Sequence, residues 1–95
     1  MVKYDIMSTY GGDLMGKHYT YILECADGTL YCGYTTNPKE REKTHNLGTG
    51  AKYTRCRLPV KMVHVECFDT KSEALKRECS IKKLTREQKL RLINN

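Results

Sequence analysis

The stretch that decides the fold is residues 19–35, YTYILECADGTLYCGYT. Residues 19–25 and 30–35 are rich in aromatic, β-branched and aliphatic side chains, which is typical of β-strands. Asp27-Gly28 lies between them and is a strong hairpin signal. The stretch therefore predicts a β-hairpin, and four of the chain's seven tyrosines lie on it.

The register of this hairpin stays open at the level of sequence. A two-residue loop would pair Tyr21 with Tyr34, whereas a three-residue loop with a bulge would move Tyr31 onto the face that carries Tyr21. The choice decides which phenols can act together.

The size and charge of the chain limit what it can be. Ninety-five residues suffice for one domain with a single modest core. The net charge is +6, of which residues 1–16 contribute −1 and the remainder +7. This excess favours a polyanionic partner, most commonly nucleic acid, although a basic pI is also ordinary among small proteins.

The cysteines and the apolar pattern indicate where the protein works. Five cysteines are spread along the chain without a CxxC pair or a signal peptide, which predicts reduced thiols in the cytoplasm and argues against structural zinc. No apolar run approaches the roughly 20 residues of a membrane span. Residues 1–16 lack periodicity and contain Gly-Gly, so we expect a flexible or loosely packed extension before a domain at 17–95.

A helix is predicted directly after the hairpin, over residues 38–46. Asn37 is a favourable N-cap, Pro38 suits the first helical position and Glu40 would close a capping box. The segment PKEREKTHN contains no large aliphatic side chain to hold it against a core. This helix is therefore a candidate for carrying function.

Arg41 and His45 are spaced to lie on one face of that helix. A guanidinium binds a phosphate through two parallel hydrogen bonds, and an imidazole one turn away can hold or move a proton. On an ordinary solvated helix the pair would mean nothing, but here it suggests a phosphodiester site.

The remaining chain predicts one more strand and two more helices. Residues 48–57 form a glycine-punctuated basic loop, and residues 60–68 have apolar side chains on both faces, so we expect them to be the central, covered strand. Ser72 is a predicted N-cap for a helix over residues 73–84, and Thr85 starts a short final helix.

Glu78 falls within the apolar arc of the predicted helix, between Ala74 and Leu75 on a helical wheel. A buried carboxylate costs several kcal/mol unless it is paired, protonated or bound to a metal. One explanation is a salt bridge to Lys82 or Arg41. The other is a divalent ion, Mg²⁺ or Mn²⁺, whose shell is completed by water and a phosphate oxygen.

Tyrosines in strands usually only pack, but a phenol beside a metal and an arginine can serve as a general base if its pKa is lowered. A thiol nucleophile at Cys32, as in a small metabolic enzyme, is conceivable. A cysteine inside a strand, however, is more often buried and inert.

Together these residues resemble the GIY-YIG nuclease family. Thr20-Tyr21-Ile22 corresponds to the first motif and Tyr31-Cys32-Gly33 to the second, with an interval of ten positions from one motif tyrosine to the other. Arg41, His45 and Glu78 follow in the family's order, so that the resemblance covers about residues 19–93.

The resemblance implies an α+β fold with a small three-stranded antiparallel sheet flanked by helices, and five catalytic side chains on one face. In these roles Tyr21 takes a proton from the attacking water and Tyr31 positions the water or phosphate. Arg41 offsets charge on the phosphate, His45 assists Tyr21 or the phosphate, and Glu78 holds the metal, Mg²⁺ or Mn²⁺.

Within the family the chain most resembles the small stand-alone bacterial branch, through residues 50–55 and 81–84. That branch is similar to the catalytic module of structure-specific nucleases acting on branched DNA, which implies a DNA endonuclease linked to repair or recombination. The substrate would be branched, single-stranded or duplex DNA, and a protein partner is conceivable. Candidate contacts with the nucleic-acid backbone are Lys52, Arg55, Arg57, Lys82 and Lys83.

The chain departs from the family pattern at three points. Tyr34 stands where many members have a lysine, Cys32 replaces an aliphatic or hydroxyl residue, and a late asparagine has no counterpart other than Asn46. The alternative to an endonuclease is a nucleic-acid-binding module of the same fold with weak or no activity.

Overall fold

The computed structural model describes residues 17–95, so the extension predicted at residues 1–16 lies outside the described residues. The elements are β1 (His18–Glu24), β2 (Leu30–Thr35), α1 (Pro38–Asn46), α2 (Lys52–Arg55), β3 (Lys61–Phe68), α3 (Lys71–Lys82) and α4 (Arg86–Asn94). Within these residues the strands form one antiparallel sheet in the order β2-β1-β3. The predicted α+β architecture is confirmed.

The hairpin has the three-residue loop. The N–H of Gly28 donates to the carbonyl of Cys25 at 2.9 Å, and Gly28 has a φ of 84°, which favours glycine because it has no Cβ. Tyr31 consequently pairs with Leu23, two residues from Tyr21 on the same strand. Both motif tyrosines therefore lie on one face of the sheet.

The two faces of the sheet bury different clusters. The face with the motif tyrosines packs Tyr19, Tyr21, Leu23, Met62 and Val65 against the chain that leads into β3. The opposite face is covered by α3 and α4, whose apolar side chains pack on Ile22 and Cys32. The candidate chemistry thus lies on the first face, beside α1.

The prediction that residues 60–68 form the central strand is wrong. The central strand is β1, and β3 lies at an edge of the sheet. Apolar residues on both faces of β3 show that other parts of the protein pack above and below the strand. They carry no information about which strands lie beside it.

Capping explains where the helices begin. The side chains of Asn37 and Thr85 accept backbone N–H groups at the starts of α1 and α4, as predicted. The third helix begins earlier than predicted, because Thr70 accepts the N–H of Glu73 and leaves Ser72 inside the first turn. The predicted loop at residues 48–57 contains the short helix α2.

A buried ion-pair cluster fixes α3 on the sheet. Arg77 donates to both carboxylate oxygens of Glu66 at 2.8 and 3.1 Å, and the Nε2 atom of His64 lies 2.7 Å from the same carboxylate. Burial acts against the charge, but the hydrogen bonds from His64 and Arg77 hold the pKa of Glu66 below its ordinary value. The Thr20 hydroxyl adds a bond to the Ala74 carbonyl at 2.6 Å. Because Glu78 is one residue beyond Arg77, this cluster also sets its position.

The five cysteines are free thiols. Within residues 17–95, no helix combines the length and the apolar character that crossing a membrane requires.

Candidate active site

The hydroxyl of Tyr21 is the point at which the candidate site comes together. Its oxygen lies 2.9 Å from Nε2 of His45, and the Nε–H of Arg41 donates to it at 3.4 Å. Tyr21 comes from β1, and the other two side chains lie one turn apart on α1. The structure therefore joins a tyrosine of the hairpin to the Arg41 and His45 pair of α1, which the sequence predicted from two separate patterns.

Two glycines allow these side chains to lie so close to the backbone. A Cβ atom at Gly33 would lie 2.5 Å from the Tyr21 hydroxyl, and one at Gly50 would lie 2.5 Å from Nδ1 of His45. Any larger residue would displace the phenol or the imidazole. Gly33 belongs to the second motif, and Gly50 begins the stretch 50–55 that resembles the stand-alone branch, although no role was predicted for it.

Tyr31 completes an aromatic cluster around the same point. Its ring centroid is 6.5 Å from that of Tyr21 and 5.5 Å from that of His45, and the ring of Tyr53 stacks on it at 5.8 Å. Tyr21 is 1% exposed and His45 is fully buried, whereas Tyr31 is half-buried. Of the two motif phenols, Tyr31 is therefore the more accessible.

The second nitrogen of His45 is also bonded inside the protein. Nδ1 lies 2.9 Å from the hydroxyl of Thr54, which in turn lies 2.9 Å from the carbonyl of Ala51. Thr54 is fully buried. It is a contact of the site that was not predicted: Thr54 lies in the stretch 50–55 that resembles the stand-alone branch, but that resemblance assigned it no role.

The electrostatics leave the central pair uncharged at neutral pH. Burial raises the pKa of Tyr21 to about 12, although the hydrogen bond and charge of Arg41 act in the opposite direction. Burial, together with the positive charge of Arg41, lowers the pKa of His45 to about 4. A free phenolate is thus unfavourable here, and proton movement must be coupled to the neighbouring groups.

Glu78 lies on α3, the helix that covers the opposite face of the sheet from Tyr21, and it is paired. Its carboxylate accepts from Nζ of Lys82 at 2.8 Å, and its side chain is 18% exposed. Burial is the main cause of the raised pKa of Tyr21, and the negative charge of Glu78 adds a smaller contribution in the same direction. The ion pair predicted as one explanation for Glu78 is therefore present, and its partner is Lys82 rather than Arg41.

The donor set around Glu78 fits only one mode of metal binding. Among residues 17–95 there is no group of three or more His, Cys, Asp or Glu side chains that could enclose an ion. Mg²⁺ is commonly held by one or two carboxylates, with water and substrate phosphates filling its other positions. A partly exposed single carboxylate is compatible with that arrangement.

The candidate nucleic-acid contacts divide into exposed and internally bonded residues. Arg57 donates to Asp27 at 3.1 Å and to the Tyr53 carbonyl at 2.7 Å, and its guanidinium lies 4.0 Å from the centre of the Tyr53 ring. It therefore braces the loop against the hairpin. The side chains exposed to solvent are Lys52, Arg55, Lys82 and Lys83.

The three residues named in connection with departures from the family pattern do not contribute side chains to the candidate active site. Cys32 is 5% exposed and burial raises its pKa to about 12, so it is a poor nucleophile. Tyr34 lies on the opposite face, where its hydroxyl is 2.7 Å from Nδ1 of His18. The Asn46 side chain bonds the N–H and C=O of Val60, so it holds a loop rather than supplying a contact in the site.

The fold and the site define a protein class. Residues 17–91 match the GIY-YIG catalytic domain, and the chain belongs to this family. Membership indicates a hydrolase of the nuclease type, with nucleic acid as its substrate.

The relatives of the chain form a more particular group within that class. It is 60% identical to the UPF0213 protein of Haloquadratum walsbyi over 75 residues, which cover 79% of this chain and 84% of that protein. It is 56% identical to the UPF0213 protein of Staphylococcus haemolyticus over 79 residues, covering 83% of this chain and 96% of the relative.

Solved structures show the same likeness. A protein of E. faecalis, determined by solution NMR, is 54% identical, with a TM-score of 0.56 over 82% of this chain and 83% of that one. The UPF0213 protein of Bacillus halodurans, also determined by solution NMR, is 47% identical, with a TM-score of 0.54 over the same shares. The chain is thus similar to small UPF0213 proteins that match it over most of their length.

Proposed function

We propose that this protein is a metal-dependent DNA endonuclease that hydrolyses phosphodiester bonds in the cytoplasm. The observation that carries the proposal is the Tyr21 hydroxyl, which is bonded to a buried imidazole and to an arginine at the same time. A general base and a phosphate-binding cation are the two groups that such hydrolysis needs beside a metal.

Arg41 is the group that meets the phosphate. Its contact with Tyr21 is long at 3.4 Å and its side chain is half-buried. A phosphate oxygen is a stronger acceptor for the guanidinium than a phenol. When the phosphate binds, Arg41 leaves the phenol oxygen, which becomes available to the attacking water.

Tyr21 then takes a proton from that water, and His45 acts on the reaction through Tyr21. Because His45 is fully buried, it does not reach the substrate directly. Tyr31 is the more exposed phenol and orients the water or the phosphate. The sequence interpretation had left open whether His45 assists the tyrosine or the phosphate, and its burial favours the tyrosine.

Glu78 would hold Mg²⁺ or Mn²⁺, which would supply the positive charge that offsets charge developing on the leaving oxygen. For this role the carboxylate must exchange its bond to Lys82. The lysine is half-exposed, with 53% of its side chain accessible, so it can swing into solvent or onto a nearby phosphate. Lys52, Arg55 and Lys83 supply further contacts to the nucleic-acid backbone, which position the substrate without reading its sequence.

Cleavage assays with single-stranded, duplex and branched DNA, in Mg²⁺ or Mn²⁺, test this function. Tyr21→Phe removes one hydroxyl from the site, and Tyr34→Phe removes one from the opposite face of the hairpin as a matched control. We expect Tyr21→Phe to reduce kcat about 10²- to 10⁴-fold, the usual contribution of a general base, and Tyr34→Phe to leave it unchanged. Glu78→Gln should abolish the metal-dependent cleavage, whereas Glu87→Gln on exposed α4 should leave it unchanged.

The alternative is a nucleic-acid-binding module of the same fold with weak or no activity, which the basic surface alone would explain. It predicts salt-dependent binding with no metal-dependent cleavage of any substrate. Equal product from the wild type and from both site variants would show a contaminating nuclease. Preferential cleavage of branched DNA would support the proposed link to repair or recombination.

A further inference from the structure

The buried imidazole of His45 has a hydrogen-bond partner at each ring nitrogen. Nε2 faces the hydroxyl of Tyr21, and Nδ1 faces the hydroxyl of Thr54, each at 2.9 Å. A neutral imidazole carries one N–H, so one nitrogen donates and the other accepts. The position of that hydrogen decides the direction of the bond to Tyr21.

If the hydrogen is on Nδ1, each hydrogen in the chain of groups has an acceptor. The Tyr21 hydroxyl donates to Nε2, Nδ1 donates to the Thr54 oxygen, and the Thr54 hydroxyl donates to the carbonyl of Ala51, which is 2.9 Å away. Thr54 is fully buried, so its oxygen is held in this position by packing.

If the hydrogen is on Nε2, the hydrogen bonds around the Tyr21 hydroxyl cannot all be satisfied. Nε2 and Arg41 would then both donate to the Tyr21 oxygen, leaving the hydroxyl hydrogen of a buried tyrosine with no acceptor among residues 17–95. An unpaired buried hydroxyl is unfavourable. In exchange, Nδ1 would accept from the Thr54 hydroxyl, which would then give up its bond to the Ala51 carbonyl, and from the Ala51 N–H in a long contact of 3.4 Å.

We infer that Thr54 is a positioning residue that holds the hydrogen of His45 on Nδ1, so that Nε2 remains open to the proton of Tyr21. The catalytic part of this inference rests on the proposed function, whereas the position of the hydrogen can be measured without any activity.

The arrangement lets Tyr21 accept a proton without first becoming a phenolate. The water O–H bond breaks and its proton moves to the Tyr21 oxygen while the phenol's own proton moves to Nε2 of His45. The electron pair from the water forms the new P–O bond, and the pair of the broken P–O bond leaves with the departing oxygen. The imidazolium is stabilised by its Nδ1–H bond to Thr54, and because the pKa of His45 is lowered to about 4 it returns its proton to solvent.

Long-range ¹H–¹⁵N correlation spectra of ¹⁵N-labelled protein read the protonation of each imidazole nitrogen directly. In the wild type at neutral pH we expect His45 to show a protonated Nδ1 and an unprotonated Nε2. The reverse assignment would overturn the inference, and this measurement needs no variant and no substrate.

Thr54→Val keeps the branched shape and removes the hydroxyl, and Thr54→Ser keeps the hydroxyl. We expect the hydrogen to move to Nε2 in Thr54→Val, where the Ala51 N–H is the remaining polar neighbour of Nδ1, and to stay on Nδ1 in Thr54→Ser. Unchanged spectra in Thr54→Val would show that Thr54 does not select the tautomer.

Cleavage kinetics of the Thr54 variants, with kcat and KM measured separately, test the catalytic part of the inference. Thr54→Val should lower kcat at least about tenfold, as part of the general-base contribution is lost, with KM little changed because Thr54 is buried away from the substrate. Thr54→Ser should restore the rate. A full rate in Thr54→Val would refute the positioning role. Absence of cleavage by the wild type, with the expected spectra, would instead refute the proposed function alone.

Discussion

Replacing Gly50 with alanine tests the packing of the site most directly. The added Cβ would lie 2.5 Å from Nδ1, 2.9 Å from Cγ and 3.0 Å from Cα of His45. An ordinary contact begins at 3.4 Å, so the ring must move by about 0.9 Å. Because one of the three atoms belongs to the α1 backbone, rotation of the side chain alone does not relieve the overlap.

A displacement of that size is incompatible with both hydrogen bonds of His45. Each is 2.9 Å long, so a shift of about 0.9 Å along either bond takes it beyond the roughly 3.2 Å limit of a normal hydrogen bond. We expect Gly50→Ala to lower kcat/KM by about 100-fold, the effect of an error of about 1 Å in a catalytic group. Overpacking should also destabilise the fold by about 1–3 kcal/mol.

Gly28→Ala is the matched control, because a Cβ there meets nothing within 4 Å and only the φ of +84° is unfavourable. It should cost about 1–2 kcal/mol of stability with no loss of activity. Cleavage kinetics and urea unfolding of the two variants are the measurements. If Gly50→Ala cleaves at the wild-type rate and unfolds no more easily than Gly28→Ala, the close contact between Gly50 and His45 is not present in solution.

Three further outcomes follow from buried groups. Glu66→Gln leaves Arg77 without its buried counter-ion and should destabilise the protein by about 3–5 kcal/mol in urea unfolding; a loss under 1 kcal/mol would show the pair to be solvated. The pKa of His45 is about 4 in the folded protein and about 6.5 in the unfolded chain, so the unfolded chain binds more protons between these pH values. The free energy of unfolding should therefore fall as the pH drops from 6.5 to 4. A His45→Gln variant should lack this part of the pH dependence. Iodoacetamide should modify exposed Cys56 and spare buried Cys32 in the folded protein, as read by mass spectrometry, and rapid modification of Cys32 would contradict its burial.

Local signals in the sequence predicted local structure well. Asp27-Gly28 indicated the hairpin, and Asn37-Pro38 indicated the start of α1, because a positive φ or a capping bond depends on residues within one turn. The motif spacing similarly indicated the family before the fold was known. Predictions failed where a local rule had two solutions, as at Thr70 and Ser72, which are both good N-caps.

The predictions that the structure changed were those that depended on neighbours in space. The apolar pattern of β3 indicated that both of its faces are buried, but it did not indicate the order of the strands in the sheet. Glu78 stood out as a carboxylate in an apolar arc, and its partner is Lys82, four residues further along the same helix, whereas Arg41 bonds Tyr21. The sequence offered both cations because it does not show that α3 covers the opposite face of the sheet from Tyr21.

The sequence by itself determined the hairpin, the helix starts and the five residue types proposed for catalysis, because each rests on short-range geometry or on spacing along the chain. Only the tertiary structure decided that Tyr21 meets His45 across 24 positions and that Thr54 meets the same ring across nine. Those contacts arise from the three-residue turn, the packing of α1 beside the sheet and the absence of a Cβ at Gly33 and Gly50. The physical reason is that a hydrogen bond between distant residues is set by how whole elements pack, which no single segment specifies.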